Sequence, residues 1–180
     1  MAGRNPADLV AESEASATPA DDRPGLTEPG RWQFCHLPFA YQMLIWATRM
    51  WNNEQVQPAQ RWSTIRQAFA KVNAEDATVP FLRLMEVVQA GASMPILVGE
   101  GGCAVFADEI RLAETVARAV RGDPEASCGR LRRMLAPGAA RVAQALVRDL
   151  AQELKQSGLN FTRIGVLDKA IASEGRVTMH

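Results

Sequence analysis

The amino-acid sequence predicts an all-α protein, a compact bundle of about six helices. Three observations predict this fold class. Apolar residues recur with helical spacing in almost every long segment after residue 37. The segments between these stretches are short, which is typical of antiparallel neighbouring helices. The 180 residues contain no repeat of fixed period, which argues against a solenoid.

The N-terminal segment differs in composition from the rest of the chain. Residues 1–30 contain six acidic and two basic residues, a formal charge of −4, although the whole chain has a net charge of +0. The segment has almost no large apolar side chain, so burial cannot offset the entropy of ordering it. We predict a disordered acidic tail over 1–30, a single helical domain over 31–175 and a flexible C-terminus over 176–180.

The first helix is predicted in the run "QFCHLPFAYQMLIWATRMW", residues 33–51, from Leu37 to about Trp51. A membrane-spanning helix needs about 20 predominantly apolar residues. This run is shorter and contains Gln42, Thr48 and Arg49. A nearly all-apolar helix beside amphipathic ones is typical of the centre of a bundle, so we predict a buried core helix.

The second and third helices are predicted to be amphipathic. The second begins at Pro58 and places its apolar residues at helical spacing. These residues are Trp62, Ile65, Phe69 and Val72. The third extends over 79–89, with an apolar face of its own. The apolar faces of both helices must be buried, which predicts that the two helices pack into a common core.

Helical spacing breaks between residues 91 and 106, where "GEGG" separates two short β-prone runs. A small β-hairpin near residues 95–106 is favoured over an ordered loop, because a four-residue glycine-rich connection suits antiparallel strands. The phosphate-binding patterns G-x-x-x-x-G-K-[ST] and G-x-G-x-x-G are absent, and Glu100 would repel an anion. Asp108 and Glu109 then begin a helix, where carboxylates compensate the helix dipole.

Three further helices complete the expected bundle. The first follows Phe106 and ends at Gly122. The second has Asp123 as its N-cap and Pro124 in its first position. The third extends from Pro137 to Gln156, and its alanine stripe predicts core packing or, as an alternative, a homodimer contact. A last short helix is expected over 162–173.

Cys35 and His36 form the first candidate site, for a ligand or a metal. Thiolate and imidazole bind zinc, but a structural zinc site needs four ligands in characteristic pairs. The only other histidine is His180, and the three cysteines are widely spaced without a CxxC pair. We therefore expect neither a metal nor a disulfide framework, and the cysteine usage favours a reducing compartment.

The second candidate site is a basic segment near residues 130–141. Four arginines of this segment could bind a partner protein, and the helix break at Pro137 is loosely compatible with nucleic-acid binding. These residues are Arg130, Arg132, Arg133 and Arg141. Nucleic-acid binding is disfavoured because the net charge is +0 and clustered charges more often form a solvated face.

The third candidate site consists of tryptophans near the ends of the first two helices. Eight of the eleven aromatic residues lie between Trp32 and Phe69, which predicts an aromatic core or the wall of a pocket. Trp51 precedes Asn52-Asn53 at a predicted helix end and is expected to be partly exposed. Exposed tryptophan beside arginine is typical of protein interfaces, and Trp62 is the second candidate.

The sequence favours a non-catalytic cytoplasmic helical protein that acts through protein–protein contacts, with another protein or with a second copy as partner. No assembled catalytic cluster and no cofactor motif are visible, so enzymatic activity is disfavoured without being excluded. One alternative is a ligand-binding or enzymatic helical domain that uses Cys35 and His36. The other is nucleic-acid binding through the basic segment. No stretch of the sequence indicates a membrane segment.

Overall fold

The computed structural model describes residues 32–100, 102 and 104–164. Within these residues the chain forms six α-helices and one two-stranded antiparallel sheet, which confirms the predicted fold class. The helices are α1 (Phe39–Asn52), α2 (Pro58–Ala70), α3 (Thr78–Gly91), α4 (Ala107–Val120), α5 (Pro124–Met134) and α6 (Pro137–Gln156). Short 3₁₀ helices precede α1 (Phe34–His36) and α3 (Glu75–Ala77).

The expected small antiparallel sheet is present, with a partner strand from elsewhere in the chain. Strand β1 (Trp32–Gln33) pairs with β2 (Ala104–Val105), so that Trp32 lies opposite Val105. The second strand thus falls in the predicted region, whereas the segment before Gly99 forms no strand. A two-stranded sheet is weak alone, and this one lies next to the core through Val105, which is buried.

The helix ends follow the local chemistry of the sequence. Asp123 accepts a hydrogen bond of 3.1 Å from the backbone N–H of Ala126 and caps α5, as predicted. Gly122, between α4 and α5, has a φ of 84°, a conformation that glycine adopts without strain. After α1, the side chain of Asn53 accepts a hydrogen bond from the N–H of Gln55, which turns the chain towards α2.

The core lies between two groups of helices that share α3 and α4. Helix α1 packs against α2, α3 and α4, whereas α6 packs against α3, α4 and α5. Helices α3 and α6 approach so closely that a Cβ atom on Gly91 would lie 2.2 Å from the Cβ of Ala139. The small residues of α6 therefore serve packing within the chain, and α1 contributes its buried side chains to the same hydrophobic core.

Some sequence predictions fall on residues that the structure does not describe. The predicted tail over 1–30 and the C-terminus over 176–180 lie outside the described residues. The expected helix over 162–173 does so for most of its length, and residues 161–164 are not helical. No helix among the described residues is both long and apolar enough to span a bilayer.

Candidate functional site

A cavity of about 220 Å³ lies where α1 ends and α2 begins. Its lining includes side chains from the end of α1, the connecting turn, the first two turns of α2 and the end of α3. They include Trp51, Glu54, Pro58, Arg61, Trp62 and Gln89. We call this cavity the tryptophan cleft. It unites the two tryptophans that the sequence proposes as contact residues.

Both tryptophans of the cleft are accessible to solvent. Trp62 is 44% exposed, and Trp51 is partly buried against the core. Ile65 and Phe69, which share the apolar face of α2 with Trp62, are fully buried. Trp62 is the first member of that face and extends beyond the core, so its ring forms a wall of the cleft.

Arg61 is held at the cleft by the end of α1. Its Nη1 donates a hydrogen bond to the backbone carbonyl of Trp51. This carbonyl belongs to the last turn of α1, where backbone acceptors lack partners within the helix. The Nε of Arg61 is buried and has no hydrogen-bond partner within the described residues. The guanidinium is thus fixed in position while part of its donor capacity is unused.

Two further polar side chains line the cleft. Glu54, in the turn between α1 and α2, is exposed, and no ion pair is found for it among the described residues. Gln89 contributes an amide from α3. Tryptophan rings, one guanidinium, one carboxylate and one amide can together bind a group that is partly apolar and partly polar.

A second polar site, inside the chain, joins α1 to the start of α4. The Nε of Arg49 donates to Oε1 of Glu109 at 2.6 Å, and its Nη2 donates to Oε2 at 3.0 Å. Glu109 also accepts from the N–H of Gly99 and of Phe106. Arg49 donates to the carbonyl oxygens of Gly102 and Ala104 as well. We call this arrangement the Arg49 ion pair.

A third polar site, the Tyr41 cluster, joins α1 to the middle of α4. Glu114 accepts hydrogen bonds from the hydroxyl of Tyr41, from Nε of Arg118 and from Nη2 of Arg121. Arg121 also donates to the carbonyl of Phe161, whose ring contacts Tyr41 edge to face. The carboxylate is almost fully buried and is compensated by two guanidinium groups.

Burial changes the protonation behaviour of the Tyr41 cluster. Burial raises the pKa of Tyr41 well above its usual range, and the hydrogen bond to Glu114 adds to the increase. Burial opposes the charge of Arg121, yet its hydrogen bonds to Glu114 and Tyr41 leave its pKa raised. The cluster therefore holds a neutral phenol beside a charged guanidinium group.

Cys35 and His36 lie on the surface, in the 3₁₀ helix before α1, and both are exposed. The Sγ of Cys35 lies 4.0 Å from Oε1 of Gln33. Neither residue lines the tryptophan cleft. Within residues 32–100, 102 and 104–164, no group of three His, Cys, Asp or Glu side chains is placed to hold a metal ion. Among the described residues, the structure thus brings no set of metal-binding side chains to this pair.

The four arginines of the basic segment are not all on the surface. Arg130 is only 7% exposed, whereas Arg132, Arg133 and Arg141 are exposed. Arg132 and Arg133 lie in the last turn of α5, where positive charge compensates the helix dipole. The predicted contact residues therefore separate into Trp51 and Trp62, which meet at one cavity, and arginines that do not line it.

Two important residues were not identified from the sequence. No sequence signal points to Arg61, because nothing in the sequence places the carbonyl of Trp51 next to it. Glu109 was assigned to dipole compensation alone, and its ion pair with Arg49 spans 60 residues. One signal was available for Glu109: it lies three residues after Phe106, the N-cap of α4, where a glutamate reaches back to the N-cap N–H.

Comparison with known proteins gave no match: no family model fits the chain, and no curated protein or solved structure resembles it significantly. A fold alone does not determine a function. The side chains of the sites themselves are therefore the basis for a functional proposal.

Proposed function

We propose that this protein is a non-catalytic helical interaction protein that binds a protein partner through the tryptophan cleft. The observation that carries the proposal is the exposed ring of Trp62 beside the incompletely bonded guanidinium of Arg61. Tryptophan and arginine are the residues most enriched at the energetic centres of protein interfaces. The position of Trp51 on the same cavity supports the proposal.

The size of the cleft favours a partner side chain over a large cofactor. Pockets for drug-sized ligands and cofactors typically enclose about 300–1,000 Å³. The cleft, at about 220 Å³, is smaller and is open to solvent. A single anchoring side chain of a partner fits such a volume, and the surrounding helix ends would provide the rim of the interface.

The partner is another protein or a second copy of this chain. The buried alanines of α6, Ala140 and Ala143, pack within the chain and are not available as a dimer contact. Self-association would therefore use the tryptophan cleft or another surface. We further propose a cytoplasmic location, which is supported by the odd number and wide spacing of the three cysteines.

Affinity capture from the native host, followed by mass spectrometry, tests this proposal. The full chain is compared with Trp62→Ala, which removes the exposed ring, and with Val142→Ala as a matched control. Val142 is 52% exposed on α6 and does not line the cleft. We expect a partner that binds the wild type and Val142→Ala but is lost with Trp62→Ala.

Two results would count against the cleft as the interface. One is that all three forms capture the same set of proteins, and that calorimetry with purified components confirms direct binding of the captured partner to each form. The other is a partner that is lost with Val142→Ala and retained with Trp62→Ala. Sedimentation of the purified chain shows whether the partner is a second copy.

A further inference from the structure

We infer that the tryptophan cleft recognises an acidic side chain of the partner, with an apolar side chain next to it. The carboxylate would bind the Nε and Nη2 edge of Arg61 while the apolar neighbour packs against Trp62. This inference rests on the proposed function and adds the chemistry of the ligand.

Arg49 shows how this chain satisfies a guanidinium group. Its Nη1 donates to a backbone carbonyl, that of Gly102, at 3.0 Å. Its Nε and Nη2 then bind the two oxygens of the Glu109 carboxylate, at 2.6 and 3.0 Å. Two parallel N–H donors on one edge of the guanidinium match the geometry of a carboxylate.

Arg61 has the first half of this arrangement and lacks the second. Its Nη1 also donates to a backbone carbonyl, that of Trp51. This bond holds the guanidinium at Nη1, whereas Nε on the other edge is buried. Among the described residues no acceptor meets Nε. Once Nε is uncovered, a guanidinium held at Nη1 can bind a planar, doubly accepting anion through its Nε and Nη2 edge.

The other side chains of the cleft define the surroundings of that anion. Glu54 lines the cavity but forms no ion pair with Arg61 within the part of the chain that the structure describes. Its charge would weaken the binding of a carboxylate and strengthen the binding of a cation. Glu54→Gln therefore distinguishes the two ligand chemistries by the sign of its effect.

Access to Nε requires a small rearrangement. The atom is covered in the free chain, so a side chain of the cleft must move when a carboxylate arrives. Trp51 and Trp62 both line the cavity, and their fluorescence should change on binding. Trp51→Phe and Trp62→Phe assign that change to the cleft, because Trp32 and Trp46 lie elsewhere.

The test selects binding peptides from a random phage-displayed library on the immobilised full chain. We expect enrichment of Asp or Glu beside an apolar residue. An enriched peptide is then synthesised with its acid and with the corresponding amide, and both are titrated by tryptophan fluorescence. Replacing the acid by the amide should weaken binding roughly ten- to a hundredfold, because hydrogen bonds to charged groups are the stronger ones.

Protein variants complete the design. Arg61→Met should reduce the affinity for the acidic peptide to that of the amide peptide. Arg66→Met, which removes an exposed arginine of the same helix, serves as the matched control and should leave binding unchanged. Glu54→Gln should strengthen binding about two- to fivefold, the scale of an exposed charge pair. Urea unfolding confirms that each variant is folded.

Several outcomes would overturn the inference: no enrichment of acidic residues, equal binding of acid and amide, or equal binding by Arg61→Met. If Trp62→Ala still abolishes binding in those cases, the cleft remains the interface, and only the assignment of a carboxylate as its ligand is wrong. If Trp62→Ala has no effect on either the selected peptides or the captured partner, the proposed function fails as well.

Discussion

Arg49 and Trp51 lie two residues apart on α1, yet they belong to sites of opposite character. At the Arg49 ion pair the carboxylate of Glu109 accepts four hydrogen bonds, and the guanidinium is bonded on both edges. At the tryptophan cleft a guanidinium keeps a buried donor without a partner in the described residues. Because buried polar groups are normally satisfied, the difference separates a site that stabilises the fold from one suited to a ligand.

The largest effect that tests this comparison is expected for Arg49→Met. The substitution leaves the carboxylate of Glu109 buried without its cation, and breaking such a pair costs about 3–5 kcal/mol in the free energy of unfolding. Urea unfolding at neutral pH measures the loss. A loss below about 1 kcal/mol, the range of a surface ion pair, would show that this site is not structural.

The next largest effect is expected for Tyr41→Phe, through its dependence on pH. The pKa of Tyr41 is raised in the folded chain, so its contribution to stability is complete below the unfolded pKa of about 10 and is lost as the pH rises towards the folded value. Wild type should therefore lose stability above about pH 10 more steeply than the variant.

Tyr41 is also the only tyrosine, so the ultraviolet absorbance of tyrosinate reports its titration directly. At neutral pH the variant should lose about 1.5–3 kcal/mol, the value of a hydrogen bond to a charged group. Ionisation of Tyr41 at the normal tyrosine pKa in the folded chain would contradict the assignment.

A smaller effect is expected for Gly99→Ala, which tests how tightly the Arg49 ion pair is packed. A Cβ atom at this position would lie 3.0 Å from Nη2 of Arg49, and a shift of that side chain should cost about 1 kcal/mol. Gly129→Ala is the control, since among the described residues a Cβ there meets no atom beyond the local helix backbone within 4 Å. This variant should gain up to about 1 kcal/mol, because the position lies in the middle of α5. If thermal unfolding ranks the two variants in the reverse order, the side chain of Arg49 can shift without a loss of stability.

The smallest effect on stability is expected for Arg61→Met. The loss of the hydrogen bond to Trp51 costs about 1 kcal/mol. The substitution also removes a buried donor without a partner, and the desolvation penalty that this relieves is of similar size. The free energy of unfolding should therefore change by less than about 1 kcal/mol. A loss as large as that of Arg49→Met would mean that Arg61 is structural, and the contrast between the two sites would fail.

The sequence predicted the helices well because their signals are local. Pro58, Pro124 and Pro137 each begin a helix, and Asp123 caps α5 as expected. The sites were less predictable because their contacts are distant in sequence. Glu109 binds Arg49, which lies 60 residues away in the sequence, and Tyr41 binds Glu114, which lies 73 residues away. Trp51 and Trp62 were identified individually from their positions near helix ends, but their common cavity required the fold.

The same distant contacts have a consequence for the synthesis of the protein. Trp32 pairs with Val105, Arg49 with Glu109 and Tyr41 with Glu114. The principal polar partners of α1 are therefore translated well after α1 itself. At about 5–20 residues per second, the part of α1 that packs against α4 stays uncovered for several seconds after α1 is made.

We therefore expect a fragment that ends at residue 92 to show no cooperative unfolding, and a sharp transition in that fragment would contradict this. During translation, the part of α1 that packs against α4 is thus a transiently exposed apolar surface of the kind that chaperones protect.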